Sequence, residues 1–203
     1  MCGIAGYILR PGVSGSENME DAINCIRYRG PDGEGHYNSN LKDSDFEVAL
    51  SHVRLAILDI EGGAQPMTSS NENCTIVFNG EIYNFLELKE VLDKLGYEFN
   101  TNSDTEILLQ AYVEWGENCV EKLNGQFSFA IWDRDNEELF LARDHYGIKP
   151  LYYAEYDGGL VFASEIKSIK KIVPEEFICI EESVLADYLN HRYVPNPKTC
   201  FPE

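Results

Sequence analysis

Four segments, residues 127–132, 138–142, 151–154 and 160–163, read as strands whose apolar side chains fall on both alternating sets of positions. In the first, Phe127, Phe129 and Ile131 occupy one face while Ala130 and Trp132 occupy the other. A strand with two apolar faces must be covered on both. Turn signals at 133–136 and 157–159 join these strands as hairpins, which makes the sheets antiparallel. Helical segments elsewhere supply the outer cover. Two stacked sheets between layers of helix satisfy this pattern better than an open barrel. The expected fold class is α+β, a four-layer αββα sandwich of two mainly antiparallel sheets covered by helices.

The rest of the chain supplies the remaining parts. Residues 3–9 are apolar or small and read as a strand ended by Arg10-Pro11-Gly12. Ser16 is placed to cap a helix that carries Met19, Ile23 and Ile26 and ends near Tyr28. The run Arg29-Gly30-Pro31-Asp32-Gly33-Glu34-Gly35 is too rich in glycine and proline for regular structure and reads as an ordered turn. Short strands at 46–51 and 54–58 bracket His52 and Val53, and 61–66 reads as a loop. The strand at 75–78 ends at Asn79-Gly80, a dipeptide that favours tight turns. Leu86, Leu88, Val91, Leu92 and Leu95 outline an amphipathic helix stopped by Gly96. Ser103-Asp104-Thr105-Glu106 is a capping-box pattern, so Asp104 sits on the first turn of the helix carrying Ile107, Leu108, Ala111 and Tyr112. A last helix at 182–192 leads into Tyr193-Val194-Pro195-Asn196-Pro197, which reads as a connector.

Composition excludes several classes of partner. The 203 residues suffice for one domain with a full core, and 35 acidic against 16 basic side chains give a net charge of -19. A field of that sign, with no basic stripe, argues against nucleic acid and anionic membrane surfaces. No apolar run is long enough to span a bilayer and no secretory leader pattern opens the chain, so a cytoplasmic location is expected. The cysteines, Cys2, Cys25, Cys74, Cys119, Cys179 and Cys200, are scattered singly and are expected to be free thiols. His36, His52, His145 and His191 show no ligand spacing, and no metal site is expected.

Cys2 stands directly behind the initiator, where removal of Met1 would leave a thiol and a free α-amine on one residue. An unperturbed α-amine has a pKa of about 7.7 to 8.0 and a cysteine thiol about 8.5, so the amine can take the thiol proton near neutrality. That makes an activated nucleophile without a catalytic histidine. The other reading is that Cys2 is a small residue leading into a strand.

The motifs Met1-Cys2-Gly3-Ile4-Ala5-Gly6, Arg29-Gly30-Pro31-Asp32-Gly33, His52-Val53-Arg54-Leu55-Ala56-Ile57-Leu58-Asp59, Gln65-Pro66-Met67, Asn79-Gly80-Glu81-Ile82-Tyr83-Asn84, Asp104-Thr105-Glu106 and Arg143-Asp144-His145-Tyr146-Gly147-Ile148-Lys149-Pro150-Leu151-Tyr152-Tyr153 occur in this order. Together they resemble the class II glutamine amidotransferase domain, and within it the N-terminal half of glutamine-hydrolysing asparagine synthetases. The resemblance covers essentially the whole chain and implies the αββα sandwich of N-terminal-nucleophile hydrolases.

It also implies that Cys2 attacks the side-chain amide of L-glutamine, releasing ammonia and leaving a γ-glutamyl thioester that water hydrolyses. The implied oxyanion donors are the side-chain amide of Asn79 and the backbone N–H of Gly80. Arg54 is implied to hold the substrate α-carboxylate, with main-chain groups of Leu55, Ala56, Ile57 and Leu58 lining the same pocket. Asp104 and Glu81 are implied to receive the α-ammonium. On local grounds alone Asn79-Gly80 is an ordinary turn, Arg54 a surface strand residue, and Asp104 a carboxylate favoured by the helix dipole.

The family's second half binds ATP and Mg through a Ser-Gly-Gly-x-Asp-Ser loop that is absent here, while residues 188–202 resemble the start of that half. The expected organisation is a glutaminase domain at 1–181 and, at 182–203, a connector with the truncated start of the synthetase domain. That synthetase domain is the implied partner. This domain needs no cofactor of its own, and a homodimer is left open. Two alternatives stand beside this reading: a related amidotransferase with a different ammonia acceptor, and a non-catalytic glutamine-binding module if Met1 is retained.

Overall fold

The computed structural model describes residues 1–13, 15, 18–39, 45–156, 158–180, 182–195 and 201. Its strands are β1 (Gly3–Leu9), β2 (Gly33–Asn38), β3 (Glu47–Arg54), β4 (Met67–Thr68), β5 (Cys74–Ile82), β6 (Gly125–Asp133), β7 (Glu138–Arg143), β8 (Tyr152–Tyr156) and β9 (Gly159–Ala163). The helices are α1 (Met19–Asn24), α2 (Phe85–Leu95), α3 (Asp104–Trp115), α4 (Ile166–Ile172) and α5 (Glu182–His191). One sheet has the order β2-β3-β1-β9-β8 and the other β4-β5-β6-β7, and every ladder is antiparallel.

Side-chain alternation on these strands divides the core into three slabs. Ala5, Tyr7, Leu9, Ala49 and Val53 face α1 and α4, packing on Ala22, Ile23, Ile169 and Ile172. On the other sheet Ile76, Phe78, Ile82, Phe127, Phe129 and Ile131 face α2 and α3, against Leu88, Leu92, Ile107 and Leu108. Between the sheets lie Ile4, Val48, Leu50, Val77, Ala130, Trp132 and Phe162. This is the expected αββα layering, and it explains why β6 is apolar on both faces. No helix among the described residues is long and apolar enough to cross a membrane.

Several boundaries differ from expectation. Residues 33–35 belong to a strand, β2, because Gly35 has no Cβ: one placed there would stand 2.1 Å from the Gln65 carbonyl oxygen. The strand expected at 46–51 runs on through His52 and Val53 to Arg54 as β3, since Ser51 and His52 are polar yet fully buried in the ladder. The strand expected at 54–58 does not form: 55–58 belongs to the loop that wraps the Arg54 guanidinium. Asn79-Gly80 is no turn; β5 runs through it, and a Cβ at Gly80 would meet the Gln126 carbonyl oxygen at 2.3 Å. On α2 only Leu88 and Leu92 are buried, whereas Leu86, Val91 and Leu95 are exposed. Ser103 caps α3 by accepting from the Thr105 N–H, but Glu106 does not close the box. Its carboxylate instead accepts from the N–H groups of Asn100 and Thr101 and from the Thr101 hydroxyl. The Ser16 cap and the connector beyond Pro195 fall outside the described residues.

Candidate active site

Alternation carries the polar residues of four strands onto the facing surfaces of the two sheets. Where Ile4, Leu50, Val77 and Ala130 face one another, so by parity do His52 and Arg54 of β3, Asn79 and Glu81 of β5, and Ser128 of β6. Cys2 enters at the same end, its thiol against the main chain of Leu55. The Leu55 N–H donates to Sγ at 3.3 Å, and Sγ faces the Leu55 carbonyl at 3.6 Å. Burial pushes the thiol pKa up, the Leu55 contact, the positive N-terminus and Arg54 pull it down, and Glu81 raises it; the net shift is upward. Cys2 is thus a neutral thiol in this arrangement, in which Met1 precedes it and is exposed.

Arg29 holds the nucleophile's backbone. Its Nε donates to the Cys2 carbonyl at 3.0 Å, while Nη1 donates to Glu165 at 2.8 Å. Glu165 also accepts from the Tyr28 hydroxyl and pairs with Lys167 at 3.0 Å. Although burial opposes it, these bonds to Tyr28, Arg29 and Lys167 hold the Glu165 carboxyl below the usual range.

The Arg54 guanidinium folds into the loop that follows it. Nη1 donates to the Ile60 carbonyl at 2.7 Å, and Nη2 to those of Asp59 and Leu58 at 2.6 and 3.3 Å. Asp59, at φ 43, accepts from the N–H groups of Gly62 and Asn102, which tie the loop to the approach of α3 and lower the Asp59 pKa. The Ala56 N–H donates to Asp32 at 2.9 Å. Ile57 is exposed, whereas Leu55, Ala56 and Leu58 are partly buried.

The open edge of β5 is the most informative feature. Successive residues of a strand point their N–H groups to opposite sides, so Phe78, Gly80 and Ile82 share one side. The Phe78 N–H donates to Gln65 Oε1 at 2.6 Å and the Ile82 N–H to Asp104 Oδ2 at 3.0 Å. Strand β4 stops opposite Ile76, and across the other ladder Phe127 directs its own N–H and C=O to Asp144. The Gly80 N–H therefore points into the gap between Gln65 and Asp104. Beside it Asn79 is buried, and its Nδ2 has no hydrogen-bond partner among the described residues. Burial raises the Asp104 pKa to about 6; the Ile82 N–H opposes that shift and Glu81 adds to it.

Further in, His52 is fully buried with neither ring nitrogen completing a hydrogen bond among the described residues. Burial lowers its pKa to about 3, against the pull of the nearby Phe78 carbonyl, so it is neutral at physiological pH. The Ser128 hydroxyl is likewise unpartnered among the described residues.

The structure thus gathers Cys2, Arg54, Leu55, Glu81 and Asp104 into one electrostatically linked group, with Asn79 and Gly80 on the strand between them. Sequence reasoning assigned no role to Arg29, Asp32, Gln65 or Glu165. Arg29, Asp32 and Gln65 lie in motifs already quoted, but their partners are distant in sequence and no local pattern names them. Two surface clefts of ≈ 510 and ≈ 580 Å³, one beside Ile8 and Leu160 and the other beside Asn73 and Tyr112, contain none of these residues. Among the described residues no three His, Cys, Asp or Glu side chains are grouped to hold a metal ion.

A family model described as "Glutamine amidotransferase domain" matches residues 1–203. The chain is 40% identical over 203 residues to "Asparagine synthetase [glutamine-hydrolyzing] 1" of Bacillus subtilis (strain 168), covering 98% of this chain and 31% of that protein. It is 36% identical over 193 residues to "Amidase chry2" of Gibberella zeae, covering 89% of this chain and 28% of that one. The chain spans less than a third of the length of either relative. Among solved structures, glutamine phosphoribosylpyrophosphate amidotransferase of B. subtilis, complexed with ADP and GMP, superposes with a TM-score of 0.68 at 23% identity, covering 84% of this chain and 43% of that one. Identity that low speaks for the fold alone.

Proposed function

Because this chain belongs to the glutamine amidotransferase domain family and has the four-layer fold of N-terminal-nucleophile hydrolases, we propose that it hydrolyses L-glutamine to L-glutamate and ammonia with Cys2 as nucleophile. Removal of Met1 frees the α-amine of Cys2, which takes the proton from Sγ. The thiolate adds to the side-chain amide carbon of glutamine. Negative charge gathers on the former carbonyl oxygen, where the Asn79 Nδ2 and the Gly80 N–H donate to it; one such donor contributes about 2.7–4 kcal/mol in the transition state. The protonated amine returns its proton to the departing nitrogen, ammonia leaves, and the γ-glutamyl thioester is cleaved by water.

The single observation that best supports this reading is the pair of uncommitted donors at Asn79 and Gly80 on the strand facing the Cys2 end of the inter-sheet space. Asp104, with Glu81, receives the substrate ammonium. Arg54 takes the α-carboxylate through donors left free by its carbonyl contacts, while the main chain of Leu55, Ala56, Ile57 and Leu58 walls the pocket. A second carboxylate on the substrate would meet the thiolate and Glu81, which favours the neutral amide over glutamate.

In the full protein this domain supplies ammonia to a synthetase half, joined through residues 182–203, that uses ATP and Mg to activate aspartate in the cytoplasm. Those cofactors act on that half, and no step above passes through them. The amidase relative favours a second reading, in which the glutaminase chemistry is the same and the acceptor is not aspartate. Product analysis of the full-length protein with glutamine, aspartate and ATP separates the two.

The direct test is intact mass of the purified chain before and after treatment with 6-diazo-5-oxo-norleucine. A mass lacking methionine, plus a single adduct on Cys2, is the expected result. A mass retaining methionine with no adduct overturns the catalytic reading and leaves a glutamine-binding module.

A further inference from the structure

We propose that Gln65 is a positioning residue that fixes the distance between the oxyanion donors and the ammonium anchor, and thereby the length of side chain the site accepts. The assignment rests on the glutaminase reading above. Gln65-Pro66-Met67 is a quoted motif for which that mechanism has no use, yet its first side chain touches the strand that carries Asn79 and the helix that carries Asp104.

The geometry is specific. Gln65 Oε1 accepts from the Phe78 N–H at 2.6 Å, and Gln65 Nε2 donates to Thr105 Oγ1 at 3.2 Å. A backbone N–H can only donate, so the amide oxygen must face Phe78 and the amide nitrogen must face Thr105. Phe78 immediately precedes Asn79, and Thr105 immediately follows Asp104. One planar amide therefore spans from the strand bearing the oxyanion donors to the helix bearing the ammonium anchor. Its own main chain is seated on Gly35, where any Cβ would collide with the Gln65 carbonyl oxygen at 2.1 Å. The strut cannot retreat toward β2.

Along the edge of β5 the arrangement is a frame with two jambs. Gln65 closes the edge at Phe78 and Asp104 closes it at Ile82, leaving the Gly80 N–H between them. Strand rise places Gly80 about 7 Å from each jamb. The Gln65–Thr105 bond ties the jambs to each other. A second tie runs parallel, from Asp59 to the Asn102 N–H at 2.8 Å, so the Arg54 loop moves with the same helix end. Loosening the Gln65 tie lets Asp104 shift relative to Asn79 without unfolding either element. A substrate one methylene shorter is then rejected less sharply.

The test is steady-state ammonia release from glutamine and from asparagine by the full chain, as wild type, Gln65→Met, Thr105→Val and Thr105→Ser. Gln65→Met keeps the side-chain length and removes both bonds. Thr105→Val keeps the bulk and removes only the hydroxyl, leaving the Phe78 bond intact. Both are expected to lower glutamine kcat/KM about tenfold, mainly through kcat, and to shrink the preference for glutamine over asparagine by a similar factor, since small misplacements of reacting groups have effects of that order. Thr105→Ser should restore both properties. A purely structural role would lower kcat in step with the folded fraction while leaving KM and the substrate preference untouched, and that result overturns the assignment. So does a Thr105→Ser variant as impaired as Thr105→Val. A wild-type chain that releases no ammonia overturns the glutaminase reading itself, whereas an active wild type with unaltered variants sinks only the strut.

Discussion

The space between the two sheets has two ends built from the same strands with opposite contents. At one end Ile8, Val48, Phe46, Leu139 and Trp132 pack against one another. At the other Cys2, His52, Arg54, Asn79 and Ser128 occupy the same alternating positions of the same strands. Nothing in the backbone distinguishes the ends, since the ladders run through both without a break. The difference is in satisfaction. The apolar end leaves one orphan, the indole N–H of Trp132, whereas the polar end leaves the Asn79 amide, both His52 nitrogens and the Ser128 hydroxyl unpartnered among the described residues. An unpaired buried polar atom costs about 1–3 kcal/mol, so the polar end holds back free energy of folding that a substrate or buried water can recover.

The sharpest way to separate the ends is Cys2→Ala. It should reduce glutamine hydrolysis by about 10⁴-fold or more, because removing the nucleophile disables the groups that act with it. The fold loses only the weak Leu55 N–H···Sγ contact, so the melting temperature should stay within about 2–4 °C of wild type. Hydrolysis by that variant at an undiminished rate would remove Cys2 from the mechanism.

Trp132→Ala should do the reverse. Truncating a fully buried indole costs about 3–5 kcal/mol of stability, read by denaturant unfolding, with turnover per folded molecule unchanged. Trp132→Phe should be far milder, because relief of the unpartnered N–H offsets part of the lost packing. If the two substitutions destabilise equally, the indole nitrogen is not the orphan it is taken to be. Asn79→Ala returns to the polar end, where the expected loss is about 2.7–4 kcal/mol of transition-state stabilisation, seen as a fall in kcat with little change in KM. A raised KM at constant kcat would assign Asn79 to ground-state binding.

The apolar end was legible in the sequence and the polar end only partly so, for a physical reason. Phe127, Phe129 and Ile131 against Ala130 and Trp132 declare a doubly covered strand, and from that the four layers follow. His52 and Asn79-Gly80 carry the opposite local signal. A buried polar residue breaks the apolar alternation, so β3 reads as ending before His52, and a turn-forming dipeptide hides the continuation of β5. Glycine misled again at Gly35, which looks irregular but makes room for the crossing loop at Gln65. The short α4 escaped because three lysines share it with its apolar positions. Within the site, Cys2, Arg54 and Asp104 were nameable from motifs. The contacts of Arg29 with Cys2 and of Gln65 with Phe78 and Thr105 join residues far apart in the chain, and such pairings exist only once the sheets are assembled.

The smallest effect distinguishes the ends by pH. Two buried groups at the polar end titrate with opposite sign. The Asp104 pKa is raised from 3.8 to about 6. Its neutral form favours the folded state, a contribution fully present below the unfolded pKa and lost as pH rises through about 6. The His52 pKa is lowered from 6.5 to about 3. Its contribution is present above the unfolded pKa and lost as pH falls toward about 3, because the unfolded chain takes up the proton first. Between pH 4 and 6, each changes stability by at most about 1.4 kcal/mol per pH unit, and the two largely cancel. Asp104→Asn removes one side of that balance. Relative to wild type, its unfolding free energy should fall as pH drops from 6 to 4, whereas that of His52→Phe should rise. Trp132→Ala, at the apolar end, should differ from wild type by a constant amount across the same range. A flat difference for Asp104→Asn as well would mean that its carboxylate stays solvated, and that the two ends of the inter-sheet space differ less than their contents imply.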